Sequence, residues 1–283
     1  MGAITLRRLE THDLGATLRL SQAERWSHRR EDWEFHYRLG RGWAACDADG
    51  NVLGTASWWA YGEQFATVGL VLVDQAHQGQ GIGRQLMNAV TSDAGDRVLQ
   101  LVATKAGLTL YQRCGFREQY SIGQHQGTLT QIPPFVPRPD TVLRAVSRVD
   151  LDAICDLDAA AFGANRRAVV SAVFDAGGGV GVLAHRNGRI AGFALARPSG
   201  RGTLIGPIVA QDEALAIVLI AYQLKVTNGF IRVDIPKTAV QLGEWLQAAG
   251  LPCVDTVTAM VCGDAREEGV EARVFGLVSQ ALG

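Results

Sequence analysis

The stretch Val68-Gly-Leu-Val-Leu-Val-Asp-Gln-Ala-His-Gln-Gly-Gln-Gly-Ile-Gly-Arg-Gln-Leu-Met87 decides how this chain folds. It opens on an apolar run of the kind that forms a buried strand. Glycines at 79, 81 and 83 follow, and the chain then enters an amphipathic helix. Glycine suits such a loop because the backbone has to come close to a ligand and adopt dihedrals that a β-carbon blocks. The loop ends on a helix N-terminus, where free amides and the dipole favour an anion such as a pyrophosphate.

Two familiar phosphate loops do not fit. A Walker A loop requires Gly-Lys-Ser/Thr at its end, and here Gly83 is followed by Arg84 and Gln85. A dinucleotide fingerprint requires G-x-G-x-x-G and an acid at the end of the next strand. The spacing here is G-x-G-x-G, and Val98-Leu-Gln-Leu-Val-Ala-Thr104 carries no carboxylate.

Outward from the loop, the pattern predicts strand 4–8, helices 13–23 and 30–39, and strands 42–47, 52–61 and 66–73. The helix after the loop covers 82–93, followed by strand 98–102, a short helix 108–113 and strand 116–125. Gly40 and Gly95 stand where helices end. Hairpins combined with one crossover imply an α/β fold with a mixed sheet, not an all-parallel one.

Four of the eight prolines fall within residues 131–140, a stretch that cannot be a helix or an inner strand and reads as a semi-rigid linker. It divides the chain into residues 1–130 and 141–283, two typical domain sizes. The halves look alike. Ile4 to Leu14 parallels Val142 to Leu151, each an apolar strand, a turn and a helix opened by an acid. Trp43 to Gly54 parallels Val182 to Gly192, each a strand, an Asp-Gly or Asn-Gly turn and a second strand. A duplicated domain is the simplest account.

Composition sets further bounds. Apolar residues make up 47% and charged residues 19%, enough for packed cores and no signature of disorder. The net charge of −1 removes bulk electrostatics as a reason to expect nucleic acid or an anionic membrane. The five cysteines are dispersed without a CxxC pair, which points to reduced thiols and not to a disulfide frame or a zinc site. No signal core stands at the N-terminus, and the longest apolar run, Ala214 to Tyr222, is far short of a membrane span. The expectation is a soluble, cytoplasmic protein.

With loop and flanks in place, the chain resembles the GNAT superfamily of acetyl-CoA-dependent N-acetyltransferases. The superfamily's Arg/Gln-x-x-Gly-x-Gly/Ala loop is matched by Gln78-Gly-Gln-Gly81-Ile-Gly83, and its Tyr-x-x-x-Gly-Phe by Tyr111-Gln-Arg-Cys-Gly115-Phe116. The match covers residues 1 to about 127. The second half looks like a worn copy. Leu204 to Ala214 replaces the cofactor strand and loop without a glycine triplet, Asp212 and Glu213 stand where pyrophosphate would meet the helix, and Leu246 takes the tyrosine position.

The resemblance implies acetyl-CoA as cofactor and direct attack by an amine, with no acyl-enzyme. It implies that the pantetheine arm lies along Val71, Leu72 and Val73, and that Gln78, Gly79, Gln80, Gly81, Ile82, Gly83 and Arg84 cradle the pyrophosphate. Thr104 and Gly107 stand where the family often has asparagine and alanine. Tyr111 is the candidate acid for the departing thiol, its phenol having an ordinary pKa of about 10. Where relatives carry a catalytic glutamate this chain has Thr67, so Glu63 and His77 are the nearest titratable groups, with ordered water as the alternative. Five of six tryptophans lie in the first 60 residues, and Trp26, Trp33 and Trp59 are candidates to line a cleft for a small-molecule amine. Core packing is the competing role. His125 and His185 read as structural. A non-catalytic acyl-CoA sensor is the rival function, and an exposed sheet edge leaves room for a homodimer.

Overall fold

The computed structural model describes residues 4–264, Gly269 and residues 271–283, and the chain divides into two compact units. The first begins with β1 (Thr5–Arg8), α1 (Leu14–Ala23), α2 (Arg30–Leu39), β2 (Arg41–Cys46), β3 (Val52–Tyr61) and β4 (Phe65–Val73). It continues through α3 (Ile82–Ala94), β5 (Val98–Ala103), α4 (Leu108–Arg113) and the start of β6 (Arg117–Thr128). Strands β1 to β4 are antiparallel neighbours in chain order, and β5 lies parallel to β4 across the α3 crossover. The mixed α/β sheet is therefore the one the pattern implied. Helix α3 lays Ile82, Leu86, Met87, Val90 and Ala94 into a core with Val68, Leu99 and Leu101. That apolar stripe at helical spacing is what presses the helix to the sheet.

The second unit repeats the order: β7 (Thr141–Ala145), α5 (Leu151–Phe162), α6 (Arg167–Ala176), β8 (Gly181–Arg186), β9 (Arg189–Ser199) and β10 (Gly202–Ala210). Then come α7 (Glu213–Leu224), β11 (Phe230–Pro236), α8 (Val240–Ala248) and β12 (Cys253–Cys262), with β13 (Arg273–Gly276) as an addition. Helix α7 buries nearly its whole surface, as its low polar content requires.

The repeat extends to single hydrogen bonds. Arg7 grips Asp13 with both guanidinium nitrogens, at 2.7 and 2.8 Å, and Arg144 grips Asp150 at 2.7 and 2.6 Å. Each aspartate also accepts the amide three residues before it, from Glu10 or from Ser147. The acid that opens each first helix thus ties that helix to the first strand.

The last strands do not respect the repeat. Most of β6, from residue 120 on, belongs to the second unit, where it pairs antiparallel with β11 from Ile122↔Pro236 to Thr128↔Phe230. The end of β12, from Ala259 on, belongs to the first unit and lies beside β5. The proline-rich segment expected as a linker lies within the second unit. Ile132 and Phe135 pack on its core there, and the Pro134 carbonyl accepts the Trp245 indole N–H at 3.3 Å.

Candidate active site

In the first unit β4 and β5 pair only from Phe65↔Val98 to Val68↔Leu101 and then part. The β3–β4 register slips between Thr55 and Ser57, and Leu70 takes a left-handed φ of 52° there, the mark of a bulge. Past the bulge, the Asp74 N–H donates to the Leu53 carbonyl of the β3 side at 2.7 Å. Amide and carbonyl of one peptide unit point opposite ways in an extended chain. The backbone groups of Val71 and Val73 therefore face the edge that β5 has left, while the Leu72 side chain is buried. This is an open strand edge, able to accept an extended ligand.

The glycine loop begins where this edge ends. Asp74 accepts the Ala76 amide at 3.0 Å and lies 2.9 Å from His77 Nδ1, closing a single 3₁₀ turn. Gly79 and Gly81 have φ of 75° and 83°. A β-carbon at either would meet nothing within 4 Å, so left-handed backbone, not crowding within the chain, is what calls for glycine. Gly81 is the N-cap of α3 and supplies no side chain to it, leaving the helix's first amides without a capping group. Gln78, Gly79, Gln80, Gly81 and Arg84 are exposed and Gly83 is half-buried, whereas the Ile82 side chain is in the core and can offer only its amide.

Tyr111 sits on α4, which follows the turn where the Gly107 amide donates to the Thr104 carbonyl at 2.9 Å. A β-carbon at Gly107 would stand 2.7 Å from Tyr111 Cε2, which explains glycine in place of alanine. The ring meets Phe116 edge-on at 6.2 Å. Burial, and then the neighbouring Cys114, push the phenol's pKa well up, so it keeps its proton at neutral pH.

The remaining candidates are scattered. Glu63 is exposed in the β3–β4 turn, at the far end of β4 from Val71 and more than about 20 Å along the strand at roughly 3.3 Å per residue. Thr67 donates to the Tyr61 hydroxyl at 3.3 Å, and Tyr61 donates to the Leu282 carbonyl at 2.9 Å. The Leu282 carbonyl cannot take a proton at neutral pH; sequence reasoning missed this contact, since nothing local links residues so far apart. Trp33 and Trp59 are each 1% exposed, anchored on Ser21 Oγ and on the His36 carbonyl, so neither ring offers an open face. Trp26 is half-buried and meets His28 edge-on at 5.5 Å. His125 is buried on the Leu251 carbonyl at 2.9 Å, and burial lowers its pKa. No group of three potential metal ligands occurs among the described residues.

Family comparison bears on both units. Models described as Acetyltransferase (GNAT) domain match residues 39–118 and residues 154–276. The chain carries two GNAT acetyltransferase domains in tandem. It is 24% identical over 280 residues to the uncharacterized N-acetyltransferase YitH of Bacillus subtilis (strain 168), covering 98% of each chain. A putative acetyltransferase from Pyrococcus horikoshii shares the fold at a TM-score of 0.78 and 20% identity, over 99% of this chain and 96% of that one. A tandem GNAT protein from the clavulanic acid biosynthesis pathway matches at a TM-score of 0.65 and 16% identity, over 93% and 100%. The chain belongs to the GNAT acetyltransferase family.

The second GNAT domain handles each feature of the first differently. Its β10 also slips register, between Ile205 and Ile208, and meets β11 only at Thr203 and Leu204. There the edge is filled: β13 pairs with it at Ile208↔Gly276, Val209↔Val274 and Ala210↔Arg273, while β9 holds the opposite edge. Helix α7 is capped by Asp212, which accepts the Leu215 amide at 2.7 Å and pairs with Arg186 at 2.8 Å. Glu213 turns away to accept the Leu242 amide at 3.1 Å. Leu246 is fully buried where the first domain has Tyr111, and the Leu251 amide bonds its carbonyl as the Phe116 amide bonds that of Tyr111.

Proposed function

We propose that the first GNAT domain binds acetyl-CoA and transfers its acetyl group to a primary amine of a small-molecule acceptor by direct attack. The observation that carries this is the junction of an open strand edge with an uncapped helix N-terminus, present in the first domain and filled in the second. Val71 and Val73 would pair with the pantetheine amides, and the amides from Gln78 to Arg84 would take the pyrophosphate. Acetyl-CoA supplies an activated thioester carbonyl. An amide at Val71 stabilises the oxygen of that carbonyl as charge gathers on it. The Tyr111 hydroxyl, kept protonated, gives its proton to the departing sulfur. Glu63 is too far from Val71 to act and Thr67 has no basic partner among the described residues, which leaves His77, paired with Asp74, or water to take the amine's proton. Thr104 and Gly107 set the turn that presents Tyr111. Trp26, alone of the three tryptophans in having accessible surface, is the acceptor-side contact. A cytoplasmic location fits the dispersed thiols and the absence of any helix, among the described residues, long and apolar enough to cross a membrane.

The test pairs calorimetry with a panel of small amines assayed for thiol release from acetyl-CoA. One CoA per chain with turnover of at least one amine is expected. Two equivalent CoA sites would refute the assignment to one domain. Binding without turnover of any amine would favour the sensor reading, which Thr67 motivates.

A further inference from the structure

The end of α1 and the start of the glycine loop share three side chains, Glu24, Gln75 and Gln78, that acetyl transfer leaves unused. The Val73 carbonyl faces the open edge of β4, and Gln78 Nε2 stands on it at 3.2 Å. The same nitrogen lies 3.2 Å from Glu24 Oε1, so the carboxamide's two protons are divided between the cofactor edge and Glu24. Gln75 Nε2 reaches the same carboxylate oxygen and the Ala23 carbonyl, each at 3.3 Å. Ala23 ends α1 and Glu24 caps it. Arg25, next in the chain, has a φ of 60°, a left-handed conformation that a β-carbon disfavours. The turn that leads from α1 toward Trp26 and α2 is therefore held in an unfavoured shape, with both loop glutamines gripping its first residue.

We propose that the side chains of Gln78 and Glu24 form a latch that couples occupancy of the β4 edge to the order of the turn at residues 24–29. The proposal rests on the acetyl-CoA reading above. An extended arm that pairs with this edge brings its own N–H to the Val73 carbonyl and displaces Gln78 Nε2 from it. No longer held between two acceptors, the carboxamide closes its 3.2 Å contact with Glu24, and a hydrogen bond to a carboxylate is stronger than one to a neutral carbonyl. The turn at 24–29 is then gripped more firmly when the arm is present than when it is absent. Glu24 and the Gln78 side chain are positioning residues, since neither is placed on the reacting atoms. The consequence is order: the acceptor side becomes fixed after the acyl donor has arrived.

Hydrogen exchange of the amides at 24–29, followed with and without saturating CoA, tests this. Wild-type protein should exchange there at least about threefold more slowly with CoA bound, as expected for a segment whose local opening is suppressed. Glu24→Ala should bind CoA by calorimetry and lose that slowing, and Glu24→Gln should lose part of it. Glu24→Ala should also raise the KM for the amine while leaving the KM for acetyl-CoA within about twofold, a split that loss of binding alone does not produce. CoA bound to wild type with no slowing at 24–29 overturns the latch alone, as does wild-type slowing in both variants. Failure of CoA to bind wild type overturns the cofactor reading and the latch together. Should Glu24→Ala not fold, Glu24→Gln, which keeps the side chain's shape and removes its charge, decides the matter.

Discussion

Helices α3 and α7 stand at the same place in the two GNAT domains, each just after a strand with a slipped register, and they begin in opposite ways. Helix α3 starts from a left-handed glycine with no side-chain cap, whereas α7 starts from Asp212, whose carboxylate accepts the Leu215 amide. Beside α3, among the described residues, β5 leaves the edge of β4 past Val68; beside α7 the edge of β10 carries β13. A helix N-terminus leaves amides without partners, and any fold must satisfy them with its own atoms, with water or with a ligand. The second domain uses its own atoms for the Leu215 amide and for the strand edge. The first leaves both the amides and the strand edge to something else, and this is the physical meaning of an anion cradle and an arm site in one place.

The largest effect should come from treating the repeats as separable. Because the end of β12 lies in the first unit, and Met260 on it is fully buried in that core, a fragment of residues 1–140 lacks part of its own sheet. It should show no cooperative unfolding transition by circular dichroism, and a folded fragment with normal CoA binding would break the account of the exchanged strands.

Next in size is the cradle. Gly81→Val has space for its side chain but not the backbone freedom, so the protein should stay folded while the loop leaves its left-handed conformation. A loss of CoA affinity of about 100-fold is expected, since strain of this kind costs roughly 1–3 kcal/mol and the amides are also misdirected. Unchanged affinity in the folded variant would return the loop to a merely structural role.

Tyr111→Phe keeps the ring on Gly107 and removes the proton donor. Turnover should fall at least about tenfold with CoA affinity nearly unchanged, within the range general acids supply. The reciprocal change, Leu246→Tyr, should confer no activity, because Asp212 and β13 still hold the places an acyl donor would need. Wild-type turnover in Tyr111→Phe, with chemistry rate-limiting, would shift proton delivery to water.

The smallest effect tests what the domains share. Arg144, opposed by burial and helped by Ser147, holds the Asp150 carboxyl well below the usual carboxylate range. Burial pushes Asp13 up, but Arg7 and the Glu10 amide outweigh it and leave it lowered too. A carboxyl whose folded pKa is depressed contributes stability above its unfolded pKa of about 4, and that contribution is lost as pH falls through the folded value. Asp13→Asn and Asp150→Asn should each cost about 1–3 kcal/mol at pH 7 in denaturant titrations, from the hydrogen bonds lost. Both penalties should shrink on acidification below about pH 4. A penalty independent of pH would show that the aspartates act by shape alone.

Residues 68–87, the Tyr111 to Phe116 motif and the parallel between the two halves could all be read from the sequence because each is local. Left-handed glycines, a helix stripe and a strand's alternation are imposed within a few residues, so they leave a mark in any chain that uses them. Even the role of Asp13 and Asp150 at the helix starts was visible, though their arginine partners were not. What only the tertiary structure decided is who pairs with whom. The division of β6 and β12 between the units, β13 on the edge of β10, the Leu282 carbonyl under Tyr61 and the closed faces of Trp33 and Trp59 all join segments distant in the chain. A strand edge accepts any extended backbone that reaches it, since the hydrogen bonds are the same whichever residues supply them. The choice among partners rests on packing summed over a whole domain, and no short stretch of sequence carries it.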